Sequence, residues 1–149
     1  MNNTEHRILV IANRTCPCDA LADEVAWVAH DAPSEVLLVA PALNSRLRHL
    51  TSDVDAAVAR AQERVDRALA QLRHRGLSVH GHVGDADPLL AIEDALADYP
   101  ATEIVIATHP AGQSHWLERK LIEKARARFD IPVIHVVSNY GRLEYAIAA

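Results

Sequence analysis

The chain has 149 residues, of which 50% are hydrophobic and 23% charged, and a formal net charge of -5. That length suits one domain whose core needs no covalent staples, and the composition excludes an intrinsically disordered chain. The acidic balance argues against a partner bound through a basic surface, so no nucleic-acid partner is expected.

Residues 1–7 are polar and lead directly into the first of five apolar, β-branched runs: Arg7–Ala12, Glu35–Ala40, Ser78–Val83, Glu103–Ala107 and Pro132–Val137. Ile8–Ile11, Val36–Val39 and Ile104–Ile106 are continuously apolar, as in parallel strands buried on both faces. Val79-His80-Gly81-His82-Val83 alternates instead, as an edge strand with one wet face does.

Helical spacing fills each gap. Leu21, Val25, Val28 and Ala29 repeat at that spacing after Asp19. Ser52 opens the longest helix with Asp55 three residues on, in a capping-box arrangement. Val54, Val58, Ala61, Val65, Leu69 and Leu72 form its apolar stripe, and Gly76 stands where a helix stop belongs. Asp87-Pro88 is an N-cap followed by a first-turn proline, ahead of Leu89, Ile92, Ala95 and Leu96. A last helix begins near Ser114, carries Leu117, Leu121, Ala125 and Phe129 inward, and holds Arg119, Lys120, Lys124, Arg126 and Arg128 on its other face.

Alternation of strand and helix predicts a doubly wound α/β domain, a parallel sheet with helices on both faces and right-handed crossovers. Its bounds are residues 1–137. Residues 138–149 form a C-terminal tail whose Tyr140, Leu143, Tyr145 and Ile147 call for a covering surface, either a second subunit or this chain's own edge. No signal-like segment or long uncharged apolar run occurs, so the expectation is a cytoplasmic protein without a membrane partner.

Several chemistries lack their residues. There is no P-loop, no G-x-G-x-x-G after a strand and no G-x-S-x-G elbow. A phosphoreceiver needs acids at the end of the first strand, where Asn13 and Arg14 stand. Cys16 and Cys18, the two cysteines, flank Pro17, too close for a structural disulfide and with no second pair for zinc; they read as small apolar side chains near a helix start, or as a thiol activated by the helix terminus. Among nine histidines, His80 and His82 share one strand face without a third ligand at suitable spacing, so they read as exposed edge residues and no metal is expected.

Taken in order, Ile8–Ala12, the strand ending Val39-Ala40, Val83-Gly84-Asp85-Ala86-Asp87-Pro88, the strand ending Ala107-Thr108-His109 and the strand opening Ile131-Pro132-Val133 resemble the universal stress protein family over Arg7 to Val137. The resemblance implies a Rossmann-like five-stranded sheet of order 3-2-1-4-5, and with it a ligand crevice where the sheet reverses between its first and fourth strands. Asn13, Arg14 and Thr15 would line it from one loop; Thr108, His109, Gly112, Gln113 and Ser114 would line it from the other. Main-chain groups at Val39 and Ala40 stand where family members hold an adenine ring. The resemblance further implies a homodimer formed through the last strand.

ATP-binding members of that family carry Gly-x2-Gly-x9-Gly-Ser or Thr after the fourth strand. The corresponding positions here are Ala107, Pro110, Lys120 and Leu121. Proline removes an amide donor and leucine cannot bond a phosphate, so no cofactor is expected, an adenine nucleotide being the weaker alternative. Ser114 at a helix N-terminus, with His109, His115 and Lys120 near it, offers a different route to an anion. The leading expectation is a non-enzymatic, homodimeric regulatory or stress-response domain. The alternative is a small-ligand sensor for a nucleotide or other anion, and a nucleotide hydrolase or transferase ranks below both.

Overall fold

The computed structural model describes residues 6–12, 23, 25–27, 34–43, 53–85, 87–108, 115–139 and 142–144. In chain order these form β1 (His6–Ala12), β2 (Ser34–Leu43), α1 (Asp53–His74), β3 (Ser78–Asp85), α2 (Pro88–Asp98), β4 (Glu103–Thr108), α3 (His115–Arg128), β5 (Val133–Asn139) and β6 (Arg142–Glu144). Asp23 and Val25–Trp27 are helical as well. The sheet runs β3-β2-β1-β4-β5-β6, with β1 to β5 all parallel and β6 antiparallel on β5. The expected order 3-2-1-4-5 is therefore observed. A sixth strand is added from within the segment expected to be a tail, where it covers part of this chain's own edge.

Side chains alternate across the strands and feed two cores. Ile8, Val10, Val36, Leu38 and Val105 pack into one layer against Val65, Leu69 and Leu72 of α1, with Val25 beside them. Leu9, Ile11, Val39, Ile104 and Ile106 pack into the other, against Ile92 of α2 and Leu121, Ile122 and Ala125 of α3. Because β1, β2 and β4 meet helices on both faces, they have no wet side, which accounts for their unbroken apolar sequences.

Two local features match the residues chosen to build them. At the end of α1, Gly76 adopts φ 83°, its N–H donates to the Arg73 carbonyl at 2.9 Å, and the Leu77 N–H donates to the Leu72 carbonyl at 3.2 Å. This is a Schellman stop, with Leu77 packed against the layer that contains Leu72. Gly81 lets β3 lie close under α1: a Cβ there would sit 3.0 Å from the Leu38 carbonyl oxygen and 3.0 Å from Val65 Cγ1. Ion pairs tie the layers at their rims, Arg75 with Asp23 on one face and Arg128 of α3 with Glu93 of α2 on the other.

β2 runs past its expected end at Ala40, through Pro41, with a register shift against β3 between Pro41 and Leu43. Its pairing with β1 stops at Ile11–Val39, so beyond that point β2 is an edge on one side, where a proline is tolerated.

On β5, His135 is half-buried; desolvation, then the nearby Arg126 guanidinium, hold its pKa below the usual 6.5. Arg126 is itself anchored by donating to the Val133 carbonyl at 3.3 Å. The unfolded chain therefore binds a proton that the folded chain resists, so stability rises with pH up to about 6.5 and falls as pH drops below it. Denaturant midpoints measured between pH 5 and 7 should show this slope, and His135→Leu should flatten it; an unchanged slope would exclude His135 as its source.

Candidate functional site

β1 pairs with β2 on one side and β4 on the other, and its last pair with β4 is Ala12–Ala107. After β1 the chain passes to the α1 face, where Val25 is buried; after β4 it passes to the opposite face, where α3 buries Leu121, Ile122 and Ala125. Two neighbouring strands thus send their connections to opposite faces, the topological switch point at which α/β sheets bind ligands beyond the strands' carboxyl ends.

The candidate residues divide by what the structure describes. Val39 and Ala40 end the apolar run of β2 beside that switch point; Val39 is fully buried in the α2–α3 layer and Ala40 is 7% exposed in the α1 layer. With both side chains in the cores, only their main chain can serve a ligand. Thr108 closes β4 opposite Val137 of β5. Lys120 is exposed on α3 and engages another group of the protein. Asn13, Arg14, His109, Gly112, Gln113 and Ser114 lie outside the described residues, as do Cys16, Cys18 and Pro110.

Two of the positions that the resemblance sets against the ATP motif are described. Ala107 is fully buried in the α1 layer, and Leu121 is 8% exposed in the α2–α3 layer. Leu121, which the resemblance sets against the hydroxyl of the ATP-binding pattern, is a core residue. Its neighbours Ile122 and Ala125 complete the inward face of α3, so this segment of the helix is built for packing.

The acids that close and follow β3 have structural partners. Asp85 Oδ1 accepts the Asp87 N–H at 2.8 Å, and Asp87 Oδ1 accepts the Leu89 N–H at 3.0 Å. Asp87 caps α2 with extended backbone (φ -80°, ψ 114°), and Pro88 follows in the first turn. Asp87 acts as the N-cap expected of it, and Asp85 holds the turn that leads into it. Asp87→Ala should cost about 1 kcal/mol of stability, the usual effect of removing an N-cap. Chemical denaturation checks this, and a change below roughly 0.3 kcal/mol would mean that the cap contributes nothing.

A polar cluster that the sequence did not signal sits at the opposite end of the sheet. His6 Nε2 and Glu103 Oε1 are 2.7 Å apart across β1 and β4. Thr102 Oγ1 accepts the Arg7 N–H at 3.0 Å and lies 3.0 Å from the Arg7 carbonyl, to which it donates. The Tyr99 hydroxyl donates to the Glu35 carbonyl at 2.8 Å; burial and then the Glu35 charge push its pKa above the ordinary phenol range. Each of these contacts joins residues distant in sequence, so no local pattern reports them. They pin the β1–β2–β4 centre from below and leave the upper ends to the crevice.

On β3, His80 and His82 are exposed, as expected for an edge strand. His80 Nε2 lies 3.7 Å from Glu35 Oε1. Among the described residues no group of three histidine, cysteine or acidic side chains is arranged to hold a metal. No described helix is long and apolar enough to cross a membrane.

The backbone superimposes on a crystal structure of a protein from the universal stress protein family of Burkholderia pseudomallei with a TM-score of 0.61, covering 91% of this chain and 98% of that one at 21% identity. This is the universal stress protein fold. No protein-family model matches the sequence. No curated protein matches it either. At this identity the likeness is one of fold. Within the universal stress protein fold, the crevice is set by backbone topology, and the side chains around it belong to this chain.

Proposed function

We propose that the chain is a non-enzymatic, universal-stress-protein-like domain of regulatory or stress-response type, cytoplasmic and homodimeric, without the typical ATP cradle. The observation that supports this reading is the packing of Leu121: the residue that the resemblance sets against the phosphate-binding hydroxyl is a buried core side chain of α3. The engagement of Asp85 and Asp87 as turn and cap supports the non-enzymatic part, because it leaves neither carboxylate poised as an acid or base.

The switch-point crevice favours one second reading, a small-ligand sensor that takes a nucleotide or another anion by a different route. Lys120, exposed in the second turn of α3, is the cation such a ligand would meet. Mass spectrometry of the small molecule released on denaturing freshly purified protein, followed by titration of ATP, AMP and cyclic AMP, separates the two. A near-stoichiometric nucleotide favours the sensor, and Ser114→Ala with Lys120→Glu should then weaken its binding. An empty protein that ignores all three leaves the regulatory reading. Light scattering on the eluting protein tests the homodimer, and a monomer at roughly tens of micromolar would end that part of the proposal.

A further inference from the structure

The outer side of α1 carries an excess of positive charge. Ala61, Val65, Ala68, Leu69 and Leu72 turn into the core, and Arg73 reaches the β3 side of the helix, where it donates to the Val79 carbonyl at 3.3 Å. Arg75, just past the helix end, pairs with Asp23 of the helical segment in the same layer, which marks the other side. Arg64 precedes Arg75 by eleven residues, about three helical turns, and so falls on that side, with Arg60 and Arg67 a turn before and after it. Arg60 and Arg67 are exposed and Arg64 is half-buried. Asp66 accepts from Gln62 Nε2 at 3.0 Å on the opposite flank, which leaves Glu63 as the acid of α1 beside the three guanidiniums. In a chain of net charge -5 this is a local reversal of sign.

Trp27 borders the same stripe. It stands four residues after Asp23, hence on the side of its helical segment that carries the Asp23–Arg75 pair. At 66% exposed it is the most exposed large apolar side chain among the described residues, and burial of Val25 two residues earlier turns it away from the core. Tryptophan and arginine are the residue types that dominate binding energy where proteins meet, the indole by shedding water and the guanidinium by bidentate bonds to carboxylates. The stripe runs about 10 Å along the helix axis, the length of two turns of an opposing helix. The negative remainder of the surface disfavours a long polyanion such as nucleic acid.

We propose that this side of α1, together with Trp27, is a docking surface for an acidic segment of a partner protein, whose carboxylates meet Arg60, Arg64 and Arg67 and whose apolar side chain covers Trp27. The inference goes beyond the regulatory reading above and requires neither the homodimer nor a bound nucleotide. It is tested on the full chain carrying W116F, which makes Trp27 the sole indole. The probe is a helical peptide with glutamates spaced i, i+4, i+7 and a leucine beside them, set against its glutamine counterpart and against oligo(dT) of equal charge. The acidic peptide should shift Trp27 emission to the blue with a Kd below roughly 100 μM. R60Q/R64Q/R67Q should weaken it about tenfold, and the glutamine peptide should bind the parent no better than that. The single changes R60Q and R67Q, at exposed positions, should each weaken it about two- to fivefold and carry the test if the triple variant fails to fold. K124Q, exposed on α3 across the sheet, should leave binding unchanged. An acidic peptide that leaves Trp27 emission unmoved, that binds the arginine variants as well as the parent, or that K124Q weakens equally overturns the docking surface. Tighter binding of oligo(dT) than of the peptide overturns the protein partner.

Discussion

Ile104→Ala is expected to remove about 2–5 kcal/mol of folding stability, a large part of what a domain of this size has. Ile104 is fully buried in β4, in register with Leu9 of β1 and Val133 of β5, all three in the layer against α2 and α3. Truncation to Cβ removes the transfer energy of the lost atoms and leaves a cavity. Strands on both sides limit how far the walls can close on it. Urea titration should therefore show a lower midpoint with an unchanged slope. Leu90 makes a fitting control, because it is apolar and on α2 in the same half of the molecule, yet 43% exposed. Leu90→Ala should stay within about 0.5 kcal/mol of the parent. A loss below roughly 1 kcal/mol at Ile104 would contradict its place at the centre of this core.

Gly84→Val is expected to cost about 1–3 kcal/mol for the opposite reason, overpacking. A Cβ at Gly84 would stand 2.6 Å from Val39 Cγ1, a separation that real Cβ atoms do not show, so β3 or Val39 must shift. Val39 has little room to give, since it is fully buried and held in register by Ile11 on one side and His82 on the other. The close approach is the reason for glycine here, whereas Gly76 is needed for its φ of 83° and meets nothing within 4 Å. The two causes separate experimentally. Trimming the neighbour, in the double variant Gly84→Val with Val39→Ala, should recover part of the loss, so that the two changes are not additive. For Gly76→Ala, which should cost about 1–2 kcal/mol through left-handed backbone, no trimmed neighbour will help. Strict additivity at positions 84 and 39 would show that the two residues do not press on each other. The same contact bears on the crevice, because Gly84 lets Val39 sit in the core and leaves only the main chain of β2 for a ligand.

Much of the architecture was legible because its determinants are local. The Gly76 stop and the Asp87-Pro88 cap each depend on residues within one or two turns and are found as read; of the α1 stripe, Ala61, Val65, Leu69 and Leu72 are buried and Val58 half-buried, while the side chain of Val54 and the Ser52 cap lie outside the described residues. The strand bounds moved by a few residues, most at β2, which continues through Pro41 because the neighbouring β1 has already ended. The Arg142–Glu144 strand was not legible: three residues carry no usable period, and only the edge of β5 gives them a partner. Nor were the contacts at the lower end of the sheet, such as Thr102 on Arg7 or His6 on Glu103, whose members are brought together by the pairing of β1 with β4. For the candidate site the division is similar. The departures at positions 107 and 121 can be read from residue type, but that Leu121 belongs to the core is a fact of packing.

By itself, then, the sequence determined the α/β class, the strands buried on both faces, the Asp87-Pro88 cap and the Gly76 stop. All of these follow from period, side-chain volume and hydrogen bonding among near neighbours. Tertiary structure decided which strand lies beside which, where the sheet reverses, which layer receives each side chain, and how β6 takes over the sheet's edge. Those outcomes depend on pairings between distant segments and on the handedness of the crossovers, and a free energy summed over the whole chain selects them.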